Sequence, residues 1–239
     1  MSTDQTTPTI VLVHGAFADS ASWNGVIELL RGQGHSVVAA ANPLRGLDSD
    51  AAYIASVIDD VNRPCVLVGH SYGGSVITVA AAGKTAVRAL VYIAAFIPDA
   101  GESALQLTDK FPGSTLGPAT RAAAYPLADG GEGTELYIRQ EEFHQQFAAD
   151  VSAAVAEAMA ITQRPVALPA LQEPAAATAW RAVPVFALLT TDDKNIPIEA
   201  QRFMAERAGA HTVEVTASHA VAVSNPGAVG DLIARAIQG

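Results

Sequence analysis

The chain has 239 residues, half of them hydrophobic and only 16% charged, which fits one compact globular domain and excludes a disordered chain. Its formal net charge of −10 and pI near 4.9 provide no basic patch to displace counterions, so no nucleic acid and no membrane surface is expected as a partner. The single cysteine, Cys65, suits a reducing, cytoplasmic compartment, Met1–Pro8 lack the basic and apolar regions of a signal peptide, and no apolar run nears the ~20 residues of a membrane span.

Strand and helix signals alternate from the start. Thr9–Val13 reads as a strand, Ser22–Gly32 as a helix, Ser36–Ala41 as a strand and Ser49–Asn62 as a helix. A strand over Cys65–Val68, a helix over Ser71–Gly83 and a strand over Ala89–Phe96 follow. This order predicts an α/β fold with a doubly wound, mostly parallel sheet whose functional loops lie at the strands' carboxyl ends. After Pro98 the pattern breaks. Residues 98–181 hold many Pro and Gly, helix-like stretches at Gln140–Ala148 and Asp150–Thr162, and no convincing buried strand. They are expected to form a helical cap inserted between core segments 1–97 and 182–239. Leu136, Tyr137, Phe143, Phe147, Met159 and Trp180 are candidates to line a pocket beneath it, although a helical aromatic more often packs a core. The alternation resumes with a strand at Val183–Leu189, a helix at Ile198–Ala208, a strand at Thr212–Val215 and a helix at Pro226–Ile237. About six strands are expected in all, with no internal repeat. An exposed apolar cap face would allow a homodimer, but no interface signature marks one. The histidines are scattered and no His/Cys set has ligand spacing, so no metal site is expected.

The most informative stretch is Gly69-His70-Ser71-Tyr72-Gly73, a G-x-S-x-G between an apolar strand and a small, apolar helix. Alone the pattern is common. In a strand–turn–helix setting it reads as a nucleophile elbow, in which a sharp turn exposes the serine Oγ at the end of the sheet. Val11-Leu12-Val13-His14-Gly15-Ala16 with Trp23, Val91-Tyr92-Ile93-Ala94-Ala95-Phe96, Gln163-Arg164-Pro165, and Ser218-His219 with Ser224-Asn225-Pro226 complete a set spanning nearly the whole chain. On these residues the chain resembles the alpha/beta-hydrolase superfamily, in the branch of plant methylesterases and hydroxynitrile lyases and their bacterial esterase-like relatives.

That resemblance implies a triad in the order Ser, Asp or Glu, His, each after a sheet strand. His219 follows the last strand and precedes the final helix, where the general base belongs. His35 and His211 sit at strand entries, His70 lies inside the elbow, His144 falls in the cap, and His14 belongs to the first-strand motif. Asp193 is the implied acid, because related hydrolases carry G-x-x-D-x-x-x-P here and Asp193 stands at the matching distance from Pro197. Thr190 replaces the Gly of that pattern, so Asp192, and more distantly Asp99, remain alternatives. Two backbone donors should form the oxyanion hole: Tyr72 N–H and Ala16 N–H, with Phe17 the alternative if the loop is shifted. Phe17, Tyr137 and Phe143 are the expected substrate contacts.

Two departures weigh on the chemistry. Hydroxynitrile lyases of this type carry Thr after the motif histidine and Lys shortly after the catalytic histidine, where this chain has Gly15 and Asn225. Perhydrolases often carry Met where Tyr72 stands. The expectation is a serine esterase acting on a small-molecule ester through Ser71, with no cofactor. A lyase or lactonase on the same triad, and a slow-turnover small-molecule receptor on a hydrolase scaffold, are the competing readings. Acyl and alcohol preference depends on how the cap folds back, which composition does not set.

Overall fold

The computed structural model describes residues 7–238; most of the N-terminal stretch read for a signal peptide lies outside the described residues. In chain order the elements are β1 (Thr9–Val13), α1 (Asn24–Gly32), β2 (Val37–Ala40), α2 (Leu47–Val61), β3 (Cys65–His70), α3 (Tyr72–Ala80) and β4 (Val87–Ile93). There follow α4 (Ala104–Lys110), α5 (Leu116–Ala119), β5 (Thr120–Pro126), β6 (Glu132–Ile138), α6 (Gln140–Phe147), α7 (Ala153–Thr162), β7 (Val166–Ala167) and α8 (Leu168–Gln172). The chain closes with β8 (Val185–Thr190), α9 (Ile198–Arg207), β9 (His211–Val215), α10 (Val221–Ser224) and α11 (Pro226–Gln238).

Six strands form one sheet in the order β2-β1-β3-β4-β8-β9, every pair parallel. A parallel sheet needs helices on both faces, and the side-chain alternation of each strand supplies both surfaces. Ile10 and Leu12, Val66 and Val68, and Phe186 and Leu188 point into a core with Trp23, Val26 and Leu30 on one side and Val229, Leu232 and Ile233 of α11. Val11 and Val13, Cys65 and Leu67, and Ala187 and Leu189 point the other way, into a core with Ile54 and Ile58 of α2, Ile77 of α3 and Met204 of α9. With both faces covered, β1, β3 and β8 are buried along their whole length.

The chain steps from β1 outward to β2 and then returns to β3 on the opposite side of β1. At that reversal the loops leaving β1 and β3 diverge, which opens a crevice at the carboxyl ends of the two strands. Val13 is paired with Gly69, so both loops start at the same level.

The segment between β4 and β8 differs from the expected helical cap. It contains a three-stranded antiparallel sheet, β5-β6-β7, besides α4–α8. β5 reads Thr-Arg-Ala-Ala-Ala-Tyr-Pro and is largely exposed, so burial imposes little apolar alternation and its alanines favour a helical reading. Its partner β6 is tied to it from Thr120↔Ile138 to Pro126↔Glu132. Elsewhere the expected strands and helices are present with shifted ends, and the four-residue α10 comes in addition to them. Among the described residues, no helix is long and apolar enough to cross a membrane.

Gly73, on the first turn of α3, lies so close to β1 that an added Cβ would strike the Val13 carbonyl oxygen. Gly→Ala inside a helix ordinarily stabilises by about 0.5–1 kcal/mol. Here the sign should reverse: Gly73→Ala should cost about 1–3 kcal/mol as overpacking, read as a lower urea midpoint. An unchanged or raised midpoint would contradict this packing of α3 against β1.

Candidate active site

Ser71 sits between β3 and α3 with φ 54° and ψ −124°, a backbone conformation that a non-glycine residue rarely holds. Three hydrogen bonds over-determine it: Ser71 N–H donates to the Ile93 carbonyl (3.2 Å), and the Ser71 carbonyl accepts from Gly74 N–H (2.9 Å) and Phe96 N–H (3.2 Å). The following residue begins a helix, so Tyr72 N–H is among the unpaired donors of its first turn. Tyr72 is itself anchored, its hydroxyl donating to Asp50 Oδ2 at 2.8 Å within the core.

The loop after β1 crosses directly over the serine. A Cβ on Gly15 would lie 2.6 Å from Ser71 Cβ and 2.8 Å from the His70 carbonyl oxygen, so the lyase-type Thr has no room there without backbone movement. Of the two candidate donors in this loop, Phe17 N–H is already committed to the Arg164 carbonyl at 3.1 Å. That leaves Ala16 N–H, and Ala16, Ser71 and Tyr72 line one cavity.

His219 follows β9, and its Nδ1 lies 2.7 Å from Asp193 Oδ2, with both side chains buried. Asp193, not Asp192, meets the imidazole. Asp193 Oδ1 accepts from Asn195 N–H (2.8 Å) and Ile196 N–H (2.9 Å), and Oδ2 accepts from the Thr190 hydroxyl and Gln201 Nε2–H, each at 3.1 Å. Asp192 is exposed and, among the described residues, its side chain receives only the Thr191 hydroxyl, at 3.3 Å. Asp99 is likewise far from the histidine in role, forming an ion pair with Arg181. Because the carboxylate accepts from Nδ1–H, the lone pair of the imidazole is left on Nε2, the arrangement of a base. Nε2 is buried and has no hydrogen-bond partner among the described residues. No hydrogen bond joins it to Ser71 Oγ in this conformation; such bonds are often long before a substrate complex forms.

His70, which the sequence places inside the elbow and aside from the reaction, has a position of its own. Its Nε2–H donates to the His219 carbonyl at 2.9 Å, and burial first, then the neighbouring His219, holds its pKa well below the ordinary histidine value. A neutral ring thus braces the backbone of His219.

The cavity beside Ser71 measures about 400 Å³. Phe17 and Leu136 line it, as the sequence suggests. Tyr137 and Phe143 do not. The Tyr137 hydroxyl is turned to Glu135 (2.9 Å) with the Arg121 guanidinium over its ring, and Phe143 stacks on Phe147, whose own ring meets His219 edge-on. Met159 lines a separate, smaller cavity, and Trp180 donates to the Pro98 carbonyl. Wall residues missed in the sequence are Ala104, Leu105 and Thr108 of the seven-residue α4. The signal was present, since Ser103 and Gln106 form a capping box at its start, an S-x-x-Q that marks a helix N-terminus. Among the described residues, no group of three or more His, Cys, Asp or Glu is placed to hold a metal ion.

Comparison with known proteins agrees with this fold. The alpha/beta hydrolase family matches residues 10–232. The carbendazim hydrolyzing esterase of Nocardioides sp. (strain SG-4G) is 35% identical over 42% of this chain, and methylesterase 8 of Arabidopsis thaliana is 30% identical over 45%. The matches span 47% and 44% of those two relatives' own lengths, so they speak for part of each protein. The crystal structure of polyneuridine aldehyde esterase superposes with a TM-score of 0.82 over 96% of this chain and 98% of that one, at 21% identity, which is a likeness of fold.

Histidine burial also predicts acid lability. His14 donates Nδ1–H to the Gly15 carbonyl (2.9 Å), and burial lowers its pKa from 6.5 to about 4. Between those values the unfolded chain binds a proton that the folded chain does not, so stability is full above about pH 6.5 and falls as the pH drops toward 4. For His14 alone the loss reaches about 3 kcal/mol, and the depressed pKa of His70 acts in the same direction. His14→Asn, whose amide can still reach Gly15, should flatten the dependence of the urea midpoint on pH across that window. Identical slopes in both proteins would refute the assignment.

Proposed function

The chain belongs to the alpha/beta hydrolase family, and from that premise we propose that it hydrolyses small, apolar carboxylic esters through an acyl-enzyme on Ser71. The observation that carries this reading is a backbone-strained Ser71 at the elbow together with a His219 whose Nδ1 is held by Asp193 and whose Nε2 has no partner among the described residues. His219 Nε2 takes the Ser71 proton as Oγ attacks the ester carbonyl carbon. The carbonyl oxygen becomes an oxyanion between Ala16 N–H and Tyr72 N–H, and Asp193 stabilises the imidazolium. As the tetrahedral species collapses, the C–O bond to the alcohol breaks and His219 gives the leaving oxygen its proton. Water then adds by the same route and releases the acid and free Ser71.

The family's named relatives support an ester as substrate, being an esterase and a methylesterase. Gly15 weighs against a cyanohydrin lyase, because the crowding around it excludes the hydroxyl side chain that such an enzyme places there. The insertion at 98–181 acts as the cap, supplying Leu105, Phe111, Leu116 and Leu136 to the cavity wall. The lone buried Cys65 accords with a cytoplasmic protein.

Ser71→Ala should remove turnover of p-nitrophenyl esters by about 10⁴–10⁶-fold in kcat. Asp193→Asn should cost about 10⁴-fold by leaving the wrong imidazole tautomer, whereas Asp192→Asn should stay within about twofold of wild type. A Ser71→Ala enzyme with most of the native rate would reject the mechanism, and a larger loss in Asp192→Asn than in Asp193→Asn would reject the acid.

Among the described residues no Lys, Arg or His side chain lines the cavity, and its one charged residue is Asp109. A substrate carboxylate would be desolvated there without a partner. Methyl butyrate should therefore be hydrolysed with a kcat/KM about tenfold or more above that of monomethyl succinate, and the reverse order would show that a cation reaches the site.

A further inference from the structure

We propose that Asp150, on the loop between α6 and α7, is a positioning residue for the base: it fixes the loop that carries His219, so the insertion sets reaction geometry as well as cavity shape. The proposal rests on the reading of His219 as the base of a serine esterase.

Asp150 is 68 residues from Ser218 in the chain, yet its carboxylate takes both of that residue's donors. Oδ2 accepts Ser218 N–H at 3.0 Å, and Oδ1 accepts the Ser218 hydroxyl. Burial opposes ionisation of Asp150, but the Ser218 donors first, then the Ser224 side chain and its own backbone, together hold the carboxyl below its usual pKa. Just before it in the chain, the Phe147 carbonyl accepts Ala220 N–H at 3.0 Å, and the Phe147 ring meets the imidazole edge-on with centroids 5.0 Å apart. The residues on both sides of His219 are thus suspended from the 147–150 segment.

The core holds the same histidine from the other side, through His70 at its carbonyl and Asp193 at Nδ1. These two contacts control the ring's tilt and tautomer. They do not control where Ser218 sits, and Ser218 is 3% exposed, so without Asp150 its N–H would be buried with no acceptor. The loop would have to move to find one. A displacement of about 1 Å at a reacting group is enough to cost about 10²-fold in rate. Asp150 itself is not among the cavity-lining residues, so its loss should leave substrate affinity alone.

The test measures kcat and KM on p-nitrophenyl butyrate and the rate at which a fluorophosphonate labels Ser71, in wild type, Asp150→Ala, Asp150→Asn and Ser71→Ala, with melting curves for each. Asp150→Ala should lose about 10- to 100-fold in kcat and in labelling rate with KM within about twofold. Asp150→Asn, which keeps an acceptor for Ser218 N–H, should recover to within about fivefold of wild type. With Ser71→Ala inactive, an Asp150→Ala enzyme of native kcat, or one whose loss appears in KM, overturns the positioning role alone. An active Ser71→Ala overturns the esterase mechanism beneath it. If Asp150→Ala lacks a native melting transition, Ser218→Ala carries the test: it deletes the hydroxyl, which meets Asp150 Oδ1, the Phe147 carbonyl (3.3 Å) and Ala220 N–H (3.3 Å), and keeps the Ser218 N–H bond to Asp150. It should lower kcat about threefold or more at unchanged KM, and a native kcat would overturn the proposal.

Discussion

The close approach of β1, β3 and α3 is the constraint on which the rest of the molecule depends. Ser71 is held at positive φ because its carbonyl must serve both the first turn of α3 and the backbone after β4, while its N–H reaches across to β4. That conformation costs of order 1–3 kcal/mol and persists only because buried strands on both sides leave no alternative. Gly15 and Gly73 make the approach possible by presenting no side chain where the β1 loop and the elbow touch. The strain aims Oγ into the cavity and, in the same turn, presents the first helical N–H groups beside it. In the proposed mechanism the nucleophile and half of the oxyanion hole therefore share one backbone device.

Around that fixed point the polar groups are arranged so that buried charge is always compensated. Asp193 receives five hydrogen bonds, from Thr190, Asn195, Ile196, Gln201 and His219, so both oxygens of a buried carboxyl group are fully partnered beside the imidazole. His14 and His70 are kept neutral by burial and act through their N–H groups on backbone carbonyls. Among the described residues, His219 Nε2 and His14 Nε2 are both buried without a partner, but only the His219 ring is held through its other nitrogen by a carboxylate. The division of roles among three neighbouring histidines follows from which nitrogen each must donate and to what.

Much of this was legible in the amino-acid order, for a physical reason. Strands buried on both faces must be apolar throughout, so β1, β3 and β8 announce themselves, and a serine between two glycines at a strand end has few other uses. The spacing to Pro197 favours Asp193 over Asp192 without closing the choice, because which carboxylate faces Gln201 and the Asn195 and Ile196 amides is a matter of loop conformation. The β5–β6 hairpin was hidden because its exposed face removes the apolar alternation that marks a strand. Tyr137 and Phe143 illustrate the same limit: both are aromatics of the insertion, and only packing decides that one turns to Glu135 and the other stacks behind His219 on Phe147.

The central claim is that turnover passes through an ester bond to Ser71 Oγ, and rapid quenching with intact-protein and peptide mass spectrometry tests it most directly. Mixed with p-nitrophenyl acetate and quenched in acid within the first turnover, the protein should carry one acetyl group per chain, on the peptide containing Ser71, with a matching burst of p-nitrophenol. Steady hydrolysis with no acetyl on that peptide, or with the label on another residue, would contradict the account.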